Sequence, residues 1–123
     1  MKKQEVLIIE DDEWLSEQYS RILKLSGYNV KTSSNALLAI DIIDKKIPDI
    51  IILDILLTGN TAFALLHELQ SYTDTANIPI IICSNLSSNL NIDELKKYGI
   101  QLILDKTKMK PDDLTSAIRS LIN

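Results

Sequence analysis

Three short runs in this chain are almost unbroken aliphatic: EVLIIE (5–10), DIIILD (49–54) and IPIIIC (78–83). A strand with one face in water alternates apolar and polar residues. Solid runs of Ile, Leu and Val this short therefore describe strands covered on both faces. Two further runs, YNVKT (28–32) and QLILD (101–105), complete a set of five.

Helical patterns lie between the runs. In 13–26, Leu15, Tyr19, Ile22 and Leu23 share one face, and Gly27 supplies the stop. In 34–46 the face is Ala36, Ile40, Ile43 and Ile47, ended by Pro48. In 61–72 it is Ala62, Leu65, Leu66 and Leu69. In 111–122 Pro111 opens a helix facing inward through Leu114, Ala117, Ile118 and Leu121. Between Cys83 and Gly99 the segment SNLSSNLN favours caps and turns, so only DELKKY reads as helical, short and late-starting. Strands alternating with helices imply right-handed crossovers and a parallel sheet with helices on both faces.

With 123 residues the chain fits one domain, 1–123, and 46% hydrophobic residues against 24% charged exclude a disordered profile. No apolar run approaches the ~20 residues of a membrane span, and the acidic turn after MKKQEVLIIEDD leaves no secretory signal. One cysteine, Cys83, cannot pair within the chain, which suits a reducing cytoplasm. A net charge of −4 provides no footprint for nucleic acid or an anionic membrane.

In open parallel sheets the site lies beyond the carboxyl ends of the strands. The first strand ends in Glu10 and Asp11, with Asp12 and Glu13 beyond; the third ends in Asp54; Ser84 follows the fourth; Asp105 and Lys106 close the fifth. Carboxylates gathered from two strands repel unless a cation lies between them. Hard oxygen donors of this kind suit Mg²⁺, with Mn²⁺ as a substitute. A lysine and a hydroxyl opposite them complete a pocket for a phosphoryl group beside a metal.

The whole chain resembles the receiver domain of two-component response regulators. The resemblance rests on IIEDDEWL, IIILDI, IPIIICSN and YGIQLILDK, in that order, with 43 residues from Asp11 to Asp54, 30 from Asp54 to Ser84 and 22 from Ser84 to Lys106. It implies a flavodoxin-like (βα)5 doubly wound sheet of strand order 2-1-3-4-5. It makes Asp54 the phosphoacceptor, attacking a phosphohistidine of a histidine kinase or histidine phosphotransfer protein. Asp11 would ligate Mg²⁺ directly and Glu10 mostly through water, together with Asp54 and the Leu56 backbone carbonyl. Which two of Glu10, Asp11 and Asp12 form the acidic pair depends on the alignment; Glu10 and Asp11 place Leu15 at the first core position of the helix. Ser84 would hydrogen-bond a phosphoryl oxygen, and Lys106 would pair with the phosphate or with the empty Asp54. Output would run through protein contacts, to a downstream target or a second copy, across the face of helix four, strand five and helix five.

The family pattern also breaks in places. Thr58 and Ala62 replace a usual proline and glycine, Ile103 an aromatic switch residue, and Thr107 a cis proline after the lysine. Leu56 and Leu86 stand at positions that tune dephosphorylation in the family. These departures leave a second reading open, a pseudo-receiver that binds partners without phosphate. A hydrolase of the haloacid dehalogenase type would need an acid at Leu56, which cannot donate a proton.

Several residues have plainer readings. Glu10 to Glu13 would also serve as an acidic helix start, Ser84 as a loop hydroxyl and Lys106 as a solvated lysine in KTKMK. Cys83 reads as a small buried hydrophobe, Trp14 as helix-face packing or an exposed contact, and His67 as an exposed helix residue.

Overall fold

The computed structural model describes residues 3–54, 60–84 and 92–122. Its elements alternate throughout: β1 (Glu5–Ile9), α1 (Glu13–Leu25), β2 (Asn29–Ser33), α2 (Ala36–Lys45), β3 (Ile50–Asp54), α3 (Asn60–Gln70), β4 (Ile80–Ser84), α4 (Ile92–Lys96), β5 (Ile100–Asp105) and α5 (Pro111–Leu121). The strands form one sheet in the order β2-β1-β3-β4-β5, and every pair is parallel. This is the flavodoxin-like arrangement. The order reverses beside β1, which places the switch point between β1 and β3.

The pleat divides the aliphatic runs between two cores. Val6, Ile8, Ile50, Ile52, Ile81 and Cys83 point toward α1 and α5, where Tyr19, Leu23, Leu114, Ala117 and Ile118 cover them. Leu7, Ile9, Ile51, Leu53, Ile80 and Ile82 point the other way, onto side chains of α2, α3 and α4. All five residues of β3 and all five of β4 are buried, which is why their sequences show no alternation.

Helix ends follow local chemistry. At the end of α1 the Tyr28 N–H donates to the Leu23 carbonyl and the Gly27 N–H to that of Lys24, both at 3.1 Å. Gly27 adopts φ +98° there, a conformation that penalises a Cβ. Tyr28 and Leu23 then lie in the same core, so the cap also fastens the helix to the sheet.

Three expectations need correction. Ile47 is not part of the buried face of α2: the helix stops at Lys45, Lys46 is extended (φ −159°), and Ile47 lies 41% exposed. Ala39 fills the face instead. The second strand runs from Asn29 to Ser33, one residue later than its hydrophobic pattern suggests, and the fourth begins at Ile80 rather than 78. Among the described residues, no helix is long and apolar enough to cross a membrane.

Leu23 is fully buried whereas its near neighbour Leu25 is 83% exposed. Leu23→Ala is expected to lower unfolding free energy by about 2–5 kcal/mol in urea titrations, and Leu25→Ala by less than about 0.5 kcal/mol. Similar losses for both would contradict the placement of α1.

Candidate functional site

Because the strands are parallel and in register, their carboxyl ends converge on one edge. Asp54 is the last residue of β3 and pairs with Cys83, while Ser84 at the end of β4 pairs with Asp105. Glu10 follows β1 directly, and its N–H extends the ladder to the Ser33 carbonyl at 3.0 Å. Glu10 and Asp54 are both buried, at 3% and 6% exposure, and Ser84 is fully so.

Lys106 meets both buried carboxylates. Its Nζ lies 2.5 Å from Glu10 Oε1 and 3.1 Å from Asp54 Oδ2. Its own N–H donates to the Ser84 carbonyl at 3.1 Å, so β4 holds the backbone from which the ammonium projects. Asp11 is exposed, yet one oxygen each of Glu10, Asp11 and Asp54 lie within 4.8 Å of one another. The structure thus brings together Glu10, Asp11, Asp54 and Lys106, with Ser84 bordering them through its backbone.

Asp12 has a different position. Its carboxylate caps α1, accepting the Leu15 N–H at 3.1 Å, and its N–H donates to Glu10 Oε2 at 3.2 Å. It is an N-cap that also helps to hold Glu10. Leu56, Leu86 and Thr58 lie outside the described residues. Thr107 follows Lys106 through a peptide that is not cis. Ile103 is half-buried and packs against the core under α2, α3 and α4.

The charge balance is uneven. Among the described residues three carboxylates gather at one ammonium, an excess of two negative charges when all are ionised. Burial pushes the Glu10 carboxyl up to about 7, against the hydrogen bonds it accepts from Lys106 and the Asp12 N–H. Burial opposes the charged form of Lys106 too, but its hydrogen bonds to Glu10 and Asp54 outweigh that and raise its pKa. The two directions agree once both carboxylates are counted: the lysine gains from two partners, while Glu10 shares one cation with a neighbouring anion. Such a set can accept a divalent cation, and it holds a carboxylate oxygen, Asp54 Oδ2, beside a fixed positive charge. An open cleft of about 440 Å³ borders Glu10 between Glu13, Ser16, Ser33 and Asp41 and gives solvent access from the α1–α2 side.

Other groups stay outside the chemistry. Burial lifts the Cys83 thiol to about 12 and the Tyr19 phenol to about 12, so both remain protonated. Two contacts were not visible in the sequence. Asp105 turns its carboxylate onto Thr107 rather than into the acidic cluster. His67, exposed as expected, nevertheless forms a 2.8 Å hydrogen bond with the Tyr98 hydroxyl and ties α3 to the turn before β5. The Asp-x-Thr spacing could have signalled the first; nothing local signals the second, whose partners are 31 residues apart.

The sequence matches the family described as the response regulator receiver domain over residues 6–119. The transcriptional regulatory protein KdpE of Staphylococcus aureus is 33% identical over 114 residues, which is 93% of this chain and 48% of that protein. Response regulator MprA of a Mycobacterium species is 25% identical over 120 residues, covering 95% of this chain and 50% of its own. The chain spans about half the length of these curated relatives. Among solved structures, the signal receiver domain of a signal transduction histidine kinase from Syntrophus aciditrophicus is similar, with TM-score 0.83 and 28% identity over 97% of this chain and 89% of that one. The chemotaxis protein CheY4 of Vibrio cholerae shares the fold at TM-score 0.89 and 22% identity, over 98% and 99% of the two chains.

The raised Glu10 carboxyl has a measurable consequence. Its folded-state value of about 7 exceeds the ordinary 4.5, so between these values the folded chain binds more protons than the unfolded one, and stability falls as pH rises. Without divalent cations the wild type is expected to lose on the order of 3 kcal/mol more than Glu10→Gln between about pH 5 and pH 8 in urea titrations. Parallel pH profiles for the two proteins would contradict this.

Proposed function

Because the chain belongs to the response regulator receiver domain family, we propose that it accepts a phosphoryl group on Asp54 from a phosphohistidine of a histidine kinase or histidine phosphotransfer protein. One observation carries this reading: Asp54 lies at the carboxyl edge of β3 with Lys106 3.1 Å away and two further carboxylates alongside.

In the transfer, an Asp54 carboxylate oxygen attacks phosphorus. The bond from phosphorus to the imidazole nitrogen breaks, its electron pair stays on the nitrogen, and an acyl phosphate remains on Asp54. The Lys106 ammonium, already within hydrogen-bonding distance of Asp54, follows the charge onto a phosphoryl oxygen. The Ser84 hydroxyl donates to another. Asp12 keeps Glu10 in place through its N–H.

The donor set fits Mg²⁺, or Mn²⁺ in its place: all its donors are hard oxygens, and with the three carboxylates ionised their excess charge over Lys106 equals that of a divalent ion. Glu10, Asp11 and Asp54 would hold it, with the Leu56 carbonyl. When bound, the ion neutralises charge that builds on the phosphoryl oxygens.

The output surface in this reading is the face of α4, β5 and α5, which would meet a downstream protein or a second copy of the chain. Residue 103 is an isoleucine, half-buried against the core, so an aromatic side chain turning at that position is not the route. A pseudo-receiver is the second reading. It is favoured by the 2.5 Å contact that engages Lys106 with Glu10 and stabilises the site without any phosphate.

Acetyl phosphate separates the two readings. With Mg²⁺ the wild type is expected to gain one phosphoryl mass at Asp54, Asp54→Ala none, and the wild type none after chelation of the metal. An unmodified wild type would leave the pseudo-receiver reading standing.

A further inference from the structure

The turn that carries Lys106 is built differently from the proline-fixed turn that the family pattern implies. Asp105 Oδ1 accepts two hydrogen bonds from the residue beyond the lysine, from Thr107 N at 2.9 Å and Thr107 Oγ1 at 2.6 Å. The Asp105 carbonyl accepts the Lys108 N–H at 3.1 Å and closes a β-turn over Lys106 and Thr107. Aspartate is favoured at the first position of such turns because its carboxylate can take the N–H two residues on.

We propose that Asp105 and Thr107 are positioning residues for Lys106, a hydrogen-bonded clasp that sets the backbone from which the ammonium reaches Asp54 and Glu10. The proposal rests on the reading of Lys106 as the cation that meets the phosphoryl group. Lysine has a long, flexible side chain, so a fixed ammonium needs a fixed backbone. Here that backbone is held on both sides: β4 takes the Lys106 N–H through the Ser84 carbonyl, and the clasp closes the residues after it. Register links the two, since Ser84 and Asp105 are paired in the sheet.

A proline at 107 would fix the turn by its ring and would have no N–H to donate. Thr107 does the opposite, offering both its N–H and its hydroxyl to one carboxylate oxygen. The chain therefore restrains the same turn by hydrogen bonds instead of covalent closure. Changing one hydroxyl removes the shorter of the two hydrogen bonds and leaves only the Thr107 N–H to hold the Asp105 carboxylate. Small displacements of a charged group at a reacting centre carry large rate effects.

The test uses four variants, Thr107→Val, Thr107→Ser, Asp105→Ala and Lys106→Ala, with two readouts. The first is competitive acetylation of lysines by acetic anhydride, followed by mass spectrometry. Lys106 should label slowly in the wild type and in Thr107→Ser, and several-fold faster in Thr107→Val and Asp105→Ala, while Lys31 stays unchanged. The second is the rate of phosphorylation by acetyl phosphate with Mg²⁺. It should fall several-fold in Thr107→Val, recover in Thr107→Ser, and show no additional loss when Thr107→Val is combined with Lys106→Ala. Wild-type labelling of Lys106 in Thr107→Val would overturn the proposal, as would a Thr107→Ser variant that behaves like Thr107→Val. If the wild type takes up no phosphoryl group, the receiver chemistry fails while the labelling still decides whether the clasp positions Lys106.

Discussion

Lys106 is bound by two buried carboxylates, and the arrangement of the sheet edge depends on that contact. A buried carboxylate without a partner is strongly destabilising, and here two of them stand at adjacent strand ends. One ammonium reaches both, at 2.5 Å and 3.1 Å, and makes the pair tolerable without neutralising it. Burial pushes the Glu10 carboxyl up to about 7, with the neighbouring Asp54 charge adding to the effect. The site is therefore stable enough to fold and retains an electrostatic demand that a divalent cation would meet.

The rest of the structure keeps these groups in place. β1 and β3 are adjacent and parallel, so Glu10 and Asp54 emerge side by side from strands buried on both faces. Those aliphatic strands leave little freedom for the carboxylates at their ends. The acidic run divides its tasks within three residues: Glu10 turns inward, Asp11 joins it at the surface, and Asp12 caps α1 and donates its N–H back to Glu10. The helix start and the site are one piece of chain, and α1 is anchored at its other end by the Gly27 cap and Tyr28.

Much of this was legible in the sequence because periodicity and strand-end position report long-range placement. The solid runs around Ile51 and Ile81 identified strands covered on both faces, and the polar residues that ended them met at one edge. Ile47 was misleading because helical spacing says nothing about where a helix stops, and the extended Lys46 rotates the chain away from the core. Ala39 was overlooked because a methyl group carries little hydrophobic signal. Asp12 did not stand out from Asp11, since both are of a type that caps helices well and only the local backbone decides which one does. The hydrogen bond between His67 and Tyr98 joins distant segments and no pattern in either one announces it.

Departures from the family pattern fall mainly after Asp54 and around Lys106, while the acidic cluster of Glu10, Asp11 and Asp54 is present. The contacts of Lys106 with Glu10 and Asp54 form with Ile103 half-buried and Thr107 in place of a proline. The acidic edge of Glu10, Asp11 and Asp54 is proposed to hold a divalent cation, in competition with the Glu10 proton. Calorimetric titration of the wild type with Mg²⁺ near pH 7, repeated in buffers of different ionisation enthalpy, tests it most directly. The account predicts binding of one ion with release of a fraction of a proton, and marked weakening in Asp11→Asn. Absence of binding, or binding that Asp11→Asn leaves unchanged, would contradict it.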